Sequence, residues 1–169
     1  IFIKNINKTN RIEKVYFENR FINKNKINKN YKDFEVYTKL LKSIRENIPE
    51  NSKIIIPPYL ASLRDTLENY TIFFQEKHDG NLMFGSKKIF DIFSKRMNML
   101  NIDYKTIPTE GSRLNYSYMR KNYLNLKREN FIEIKKTYPD YNYVITESVH
   151  NLNLELLYED IYYKIYKIN

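Results

Sequence analysis

Lys53-Ile54-Ile55-Ile56-Pro57-Pro58 is the stretch on which the fold turns. Three consecutive isoleucines present apolar surface on every side. A strand with one wet face alternates apolar and polar residues, whereas an unbroken β-branched run suits a strand buried on both faces, as inside an α/β sheet. Pro57 and Pro58 close the run, since neither carries an N–H for a sheet ladder. Working back toward the N-terminus, Phe34, Tyr37, Leu40, Leu41, Ile44 and Ile48 recur at helical spacing and predict a helix over Asp33–Ile48. Asp33 is placed to cap it, Pro49 ends it, and Glu50-Asn51-Ser52 is the turn into the strand.

Working forward, Tyr59–Tyr70 carries Leu60, Leu63 and Leu67, a helical turn or two, and Thr71–Gln75 reads as a second strand. Ser86 is expected to cap a helix from Lys87 to about Leu100, with Ile89, Phe90, Ile92, Phe93, Met97 and Leu100 inward. Asn101–Arg113 reads as a loop, Leu114–Lys121 has no decisive period, and another helix runs from Asn125 or Leu126 to Thr137. Tyr141–Thr146 is a third strand. Leu154–Tyr158 and Ile161–Ile168, around a two-residue Glu159-Asp160 turn, predict a closing hairpin. Strands separated by helices predict the α/β class: a layered sandwich around a mixed, mainly parallel sheet with a C-terminal antiparallel hairpin. Ile54–Ile56 and Tyr143–Ile145 are the predicted neighbours at its centre. Residues 1–31, with the polar low-complexity run Asn23–Asn30, read as a lead-in or linker, and residues 32–169 as a single α/β domain.

Composition narrows the chemistry. The 169 residues hold no Cys, two His and three Gly, which excludes thiol nucleophiles, Cys-based zinc sites, multi-His metal sites and Gly-rich phosphate loops. No cofactor is expected. The net charge is +9. Yet the chain has 22 Asn, 22 Ile, 21 Lys and 16 Tyr against a single Ala, the signature of A/T-rich codons, so much of that charge reads as codon drift and a nucleic-acid partner is not expected. No apolar run reaches the ~18 residues of a membrane span. The chain begins at Ile1 and reads as a piece of something longer.

No catalytic residue and no metal ligand is assigned from sequence. Arg64 and Lys77 follow two predicted strands and Arg96 lies on the predicted helix that comes after them, so these three are the candidates for an anion at the sheet's C-terminal edge. The alternative is pairing with Asp65, Glu68 or Asp91. His78-Asp79 and the acids Glu76, Asp79 and Glu110 read as solvated surface. Tyr116, Tyr118 and Tyr123 lie among Arg113, Arg120 and Lys121, an arrangement that can stack bases or sugars but that hairpin and core packing explain as well.

Asn47 to Pro58, Leu63-Arg64, Phe73 to Lys77, Phe93-Ser94-Lys95-Arg96-Met97, Asp140 to Ile145 and Leu157 to Ile168 follow one another in an order that resembles a known pattern. It is that of the extracytoplasmic C-terminal domain of bacterial polytopic membrane proteins of the glycosyltransferase-C-like type, and it covers about residues 32–168. Phe93 stands where that family more often has Trp, Leu63 where it has Phe, and Asp160 where it has Asn. The resemblance implies a non-catalytic domain on the outer face of the cell membrane. Its partner would be the membrane-spanning part of the same parent chain, with a lipid-linked or anionic glycan as the related substrate class. Catalytic acids of such enzymes lie among membrane helices, outside this segment. The alternatives are a stand-alone basic nucleic-acid-binding protein and a small sugar- or nucleotide-binding enzyme.

Overall fold

The structure, a computed structural model, describes residues 27–60, 67, 69–74, 86–103, 109–110, 113–114 and 116–169. The chain divides into two compact units, Ile1–Ser43 and Ile44–Asn169. The boundary falls inside the first described helix, α1 (Ile27–Asn47). This helix starts earlier than Asp33, taking in part of the polar Asn-Lys run. Within the first unit Tyr37, Leu40 and Leu41 are buried, and the Ser43 hydroxyl donates to the Lys39 carbonyl one turn back.

The second unit is an α/β fold around a five-stranded mixed sheet. Its strands are β1 (Lys53–Ile55), β2 (Thr71–Ile72), β5 (Tyr141–Glu147), β6 (Glu155–Glu159) and β7 (Tyr163–Lys167), in the order β2-β1-β5-β7-β6. β1 is parallel to both β2 and β5, while β7 is antiparallel to β5 and to β6. The predicted central pair is present: Ile54 faces Tyr143 and Ile55 faces Val144. Ile54, Ile55, Ile56, Val144 and Ile145 are fully buried, and Tyr143 is half-buried. The three isoleucines do fill both faces of an inner strand. A register shift between Lys53 and Ile54 brings Tyr141 opposite Lys53, and the Lys53 ammonium lies 5.7 Å from the Tyr141 ring centre.

Between β2 and β5 lie α2 (Lys87–Met99), a two-stranded ladder of β3 (Thr109–Glu110) and β4 (Arg113–Leu114), α3 (Tyr116–Leu124) and α4 (Arg128–Thr137). The ladder falls inside the stretch read as loop, and α3 occupies the stretch whose period was undecided. Strands of two residues and a helix with Tyr, Ser, Asn and Lys around its circumference leave almost no periodic signal. α2 ends in a Schellman motif: Ile102 N–H bonds Met97 O, Asn101 N–H bonds Asn98 O, and Asn101 takes φ 58°. Ser86 stands at the N-cap of α2 but makes no side-chain cap bond, so that expected contact is absent, and Ile92, expected inward, is exposed while Phe93 and Met97 are buried. α4 begins at Arg128, with Asn130 Oδ1 accepting from Lys127 N–H at 2.8 Å.

The closing hairpin differs from a two-residue turn. Glu159 pairs with Lys164, and Asp160 Oδ1 accepts from the N–H groups of both Tyr162 and Tyr163 at 2.7 Å. An aspartate side chain standing in for a backbone acceptor makes a longer turn closed from within. Among the described residues no helix is long and apolar enough to cross a membrane.

Candidate functional site at the edge of β1 and β5

Chain order and sheet order together single out one crevice. From β1 the chain goes to β2 on one side, then crosses to β5 on the other, so the connection reverses between the C-terminal ends of β1 and β5. Open α/β sheets place their ligands at such a reversal. Three described side chains meet there. Tyr59 follows the Pro57-Pro58 exit from β1, Glu147 is the last residue of β5, and Arg120 reaches in from α3. Tyr59 Oη donates to Glu147 Oε1 at 2.7 Å. Arg120 Nε donates to the same oxygen at 2.7 Å, and its Nη2 to Oε2 at 2.5 Å.

This fork is the bidentate arrangement that fixes a carboxylate in one plane. The Arg120 side chain is 53% exposed and that of Glu147 18%, so the ion pair lies at the rim with the acid beneath it. Burial pushes the Glu147 carboxyl up. The bonds from Arg120 and Tyr59 and the Arg120 charge outweigh this and hold it below the usual carboxylate range. Burial, then the bond to Glu147, pushes the Tyr59 phenol well above its ordinary value. The bond to Glu147 likewise raises the Arg120 guanidinium. The acid is thus ionised and the phenol and guanidinium are protonated, with the Tyr59 hydroxyl and two of the five Arg120 N–H groups committed to Glu147. The two buried prolines after β1 remove two N–H donors where α/β proteins that bind phosphate need backbone donors.

Behind Glu147 a second network holds the edge from inside. His150 Nε2 lies 2.7 Å from Leu126 O, and Nδ1 lies 2.8 Å from Thr146 Oγ1. A carbonyl only accepts, so Nε2 carries the hydrogen and Nδ1 takes the Thr146 hydroxyl proton. Burial lowers the His150 pKa below the usual imidazole value. The Tyr123 hydroxyl donates to Ile145 O at 3.0 Å, and its ring meets those of Tyr59, Phe131 and His150 edge-on. The Tyr166 hydroxyl donates to His150 O at 3.3 Å. Both ring nitrogens of His150 are engaged, which leaves it no lone pair for a substrate proton.

Of the three cations expected at this edge, Arg64 and Lys77 lie outside the described residues, as do Glu76, His78 and Asp79. Arg96 is buried on α2, with its guanidinium carbon 5.1 Å from the Tyr138 ring centre and 5.7 Å from that of Phe73. Tyr138 leads into β5, so Arg96 lies toward the entry of that strand, whereas Glu147 is at its exit. Tyr123, one of the tyrosines for which stacking and packing were both open, is fully buried. Sequence reasoning missed Tyr59 and Glu147. The usable signal was their place, one following the double proline and one ending the third strand, two strands expected to be neighbours, but nothing in the sequence says that the two side chains turn toward each other. Among the described residues no group of acids and histidines could hold a metal ion. Compared with protein-family models, curated proteins and solved structures, the chain matches none.

Proposed function

We propose that this chain is a non-catalytic domain of a multi-spanning membrane protein, standing on the outer face of the cell membrane. The observation that carries the reading is the state of the β1–β5 edge. Where an α/β enzyme keeps a titrating acid, this edge has Glu147 ionised and braced by Tyr59 and Arg120, behind two prolines. Such an edge holds two strand ends together, and among the described residues it offers no group with a pKa suited to general acid–base work at neutral pH. The order of sequence motifs over residues 32–168 supports the membrane-protein context, and with it an accessory role beside chemistry on lipid-linked sugars.

The charge distribution makes location the decisive property. Residues 1–43 hold eleven Lys+Arg against four Asp+Glu, and residues 44–169 hold eighteen against sixteen, so the first unit carries +7 of the +9. Basic segments flanking membrane spans usually stay in the cytoplasm, so an outward position would run against that preference. The test is fractionation of the protein expressed from its own gene. The expected result is that the domain sediments with membranes and stays there through an alkaline carbonate wash. Recovery in the soluble fraction would overturn the reading and favour a stand-alone binding protein.

A further inference from the structure

The strand ends that carry the Glu147 brace also carry an apolar tip. Val149 is 73% exposed, Ile161 80% and Tyr162 43%, the first in the turn after β5 and the others in the β6–β7 turn. They belong to one rigid feature. Ser148 N–H donates to Tyr162 O and Ser148 Oγ to Ile161 O, each at 2.8 Å, tying the two turns side by side. Each turn is also closed on itself. His150 N–H bonds Glu147 O at 2.9 Å, and Asp160 N–H bonds Tyr163 O at 2.9 Å. The Asp160 carboxylate takes Tyr162 N–H and Tyr163 N–H on Oδ1 and the Tyr158 hydroxyl on Oδ2. Three large apolar side chains are therefore held in water by fixed backbone, and their exposure is not that of a loose loop. Clustered exposed apolar residues of this kind mark an interaction site.

We infer that this tip seats in the headgroup–acyl boundary of a lipid bilayer. Size selects the occupant. A stable protein interface takes about 20 residues a side, and this feature offers three side chains on two turns. A bilayer needs no complementary surface, since each apolar side chain gains by leaving water on its own, and tyrosine favours the boundary because its hydroxyl stays with the headgroups. Charge fits a boundary of zwitterionic lipid, because the unit bearing the tip carries only eighteen basic against sixteen acidic residues and Asp160 is spent on its own turn. The inference rests on these residues and not on the parent's topology. A cytoplasmic location would remove the preceding proposal and leave a vesicle result standing.

The chain contains no Trp, so Ile161→Trp gives a single reporter. Phosphatidylcholine vesicles should shift its emission to the blue. Val149→Ser with Ile161→Ser should weaken vesicle co-sedimentation of the otherwise unaltered chain by about tenfold or more, with the melting temperature unchanged because both side chains are exposed. Reporter emission that does not respond to vesicles overturns the inference. So does binding that needs anionic lipid and is indifferent to the double substitution, which would be the first unit's charge acting alone. A dimer in sedimentation velocity that Ile161→Ser dissociates would assign the tip to a second copy, and equally overturns it.

Discussion

Asn51, Asn101 and Asn153 take positive φ, at 65°, 58° and 51°, in a chain with three glycines. Asparagine tolerates the left-handed region better than other residues with a Cβ, because its short polar side chain bonds locally. The bias that emptied the chain of glycine thus supplied the next best residue for its turns. Asn101→Gly should be neutral or slightly stabilising, and Asn101→Val should cost about 1–2 kcal/mol, measured by urea unfolding. Removing Glu147 by Glu147→Ala leaves the Tyr59 hydroxyl and Arg120 without their acceptor and should cost about 1–3 kcal/mol. Arg120→Ala, at an exposed rim, should cost no more than about 1 kcal/mol. Equal losses from both would mean that the carboxylate is not the centre of the brace. The pH response has two windows. His150 has its folded pKa below the ordinary 6.5, so its contribution is present above that value and is lost as pH falls through it toward the folded pKa. Glu147, depressed below 4.5, adds a separate loss only under more acid conditions. His150→Gln should flatten the first fall in melting temperature and leave the second. Parallel wild-type and variant curves between pH 7 and 5 would contradict this.

At the scale of elements, β1 bears the most weight, with Ile54, Ile55 and Ile56 fully buried between β2 and β5. Ile55→Asp should abolish the cooperative melt, since it places an unpaired charge among apolar groups, at more than about 4 kcal/mol. A cooperative transition near the wild-type temperature would show that the core lies elsewhere. The parallel centre and the antiparallel close were legible because an unbroken β-branched run and two aromatic segments around an Asp are strong local signals. The β3–β4 ladder was not, because strands of two residues are too short for a period to register. The start of α1 at Ile27, within INKNYK, was hidden by composition, since Asn and Lys read as loop while their helical state carries little apolar signature. The functional edge was legible only in part. Sequence order pointed to C-terminal strand ends and to the right neighbouring pair, but which side chains meet at those ends is a tertiary fact. Arg120 was noticed for its charge, while its partner lies 27 residues away. His150 is buried, because the turn after β5 folds its ring back toward Leu126.

For the whole molecule, the uneven charge matters more than the total. Non-specific attraction for nucleic acid should come from the +7 of residues 1–43 and not from the nearly balanced sheet unit. Tyr123, one of the three tyrosines that could have formed a stacking surface, is in the core, as is Tyr166 of the hairpin. Binding to a labelled single strand should therefore fall steeply between about 50 and 200 mM salt, and tight binding surviving at the higher salt would contradict a purely electrostatic origin. The proposed position of this unit on the outer face of the cell membrane has a direct measurement. The described segment has no cysteine, so Lys127→Cys, at an exposed position before α4, places one thiol in this unit. In intact cells expressing the protein from its own gene, a membrane-impermeant maleimide should label that thiol above the unsubstituted control before lysis. Labelling that appears only after the cells are opened would place the unit inside and contradict the account.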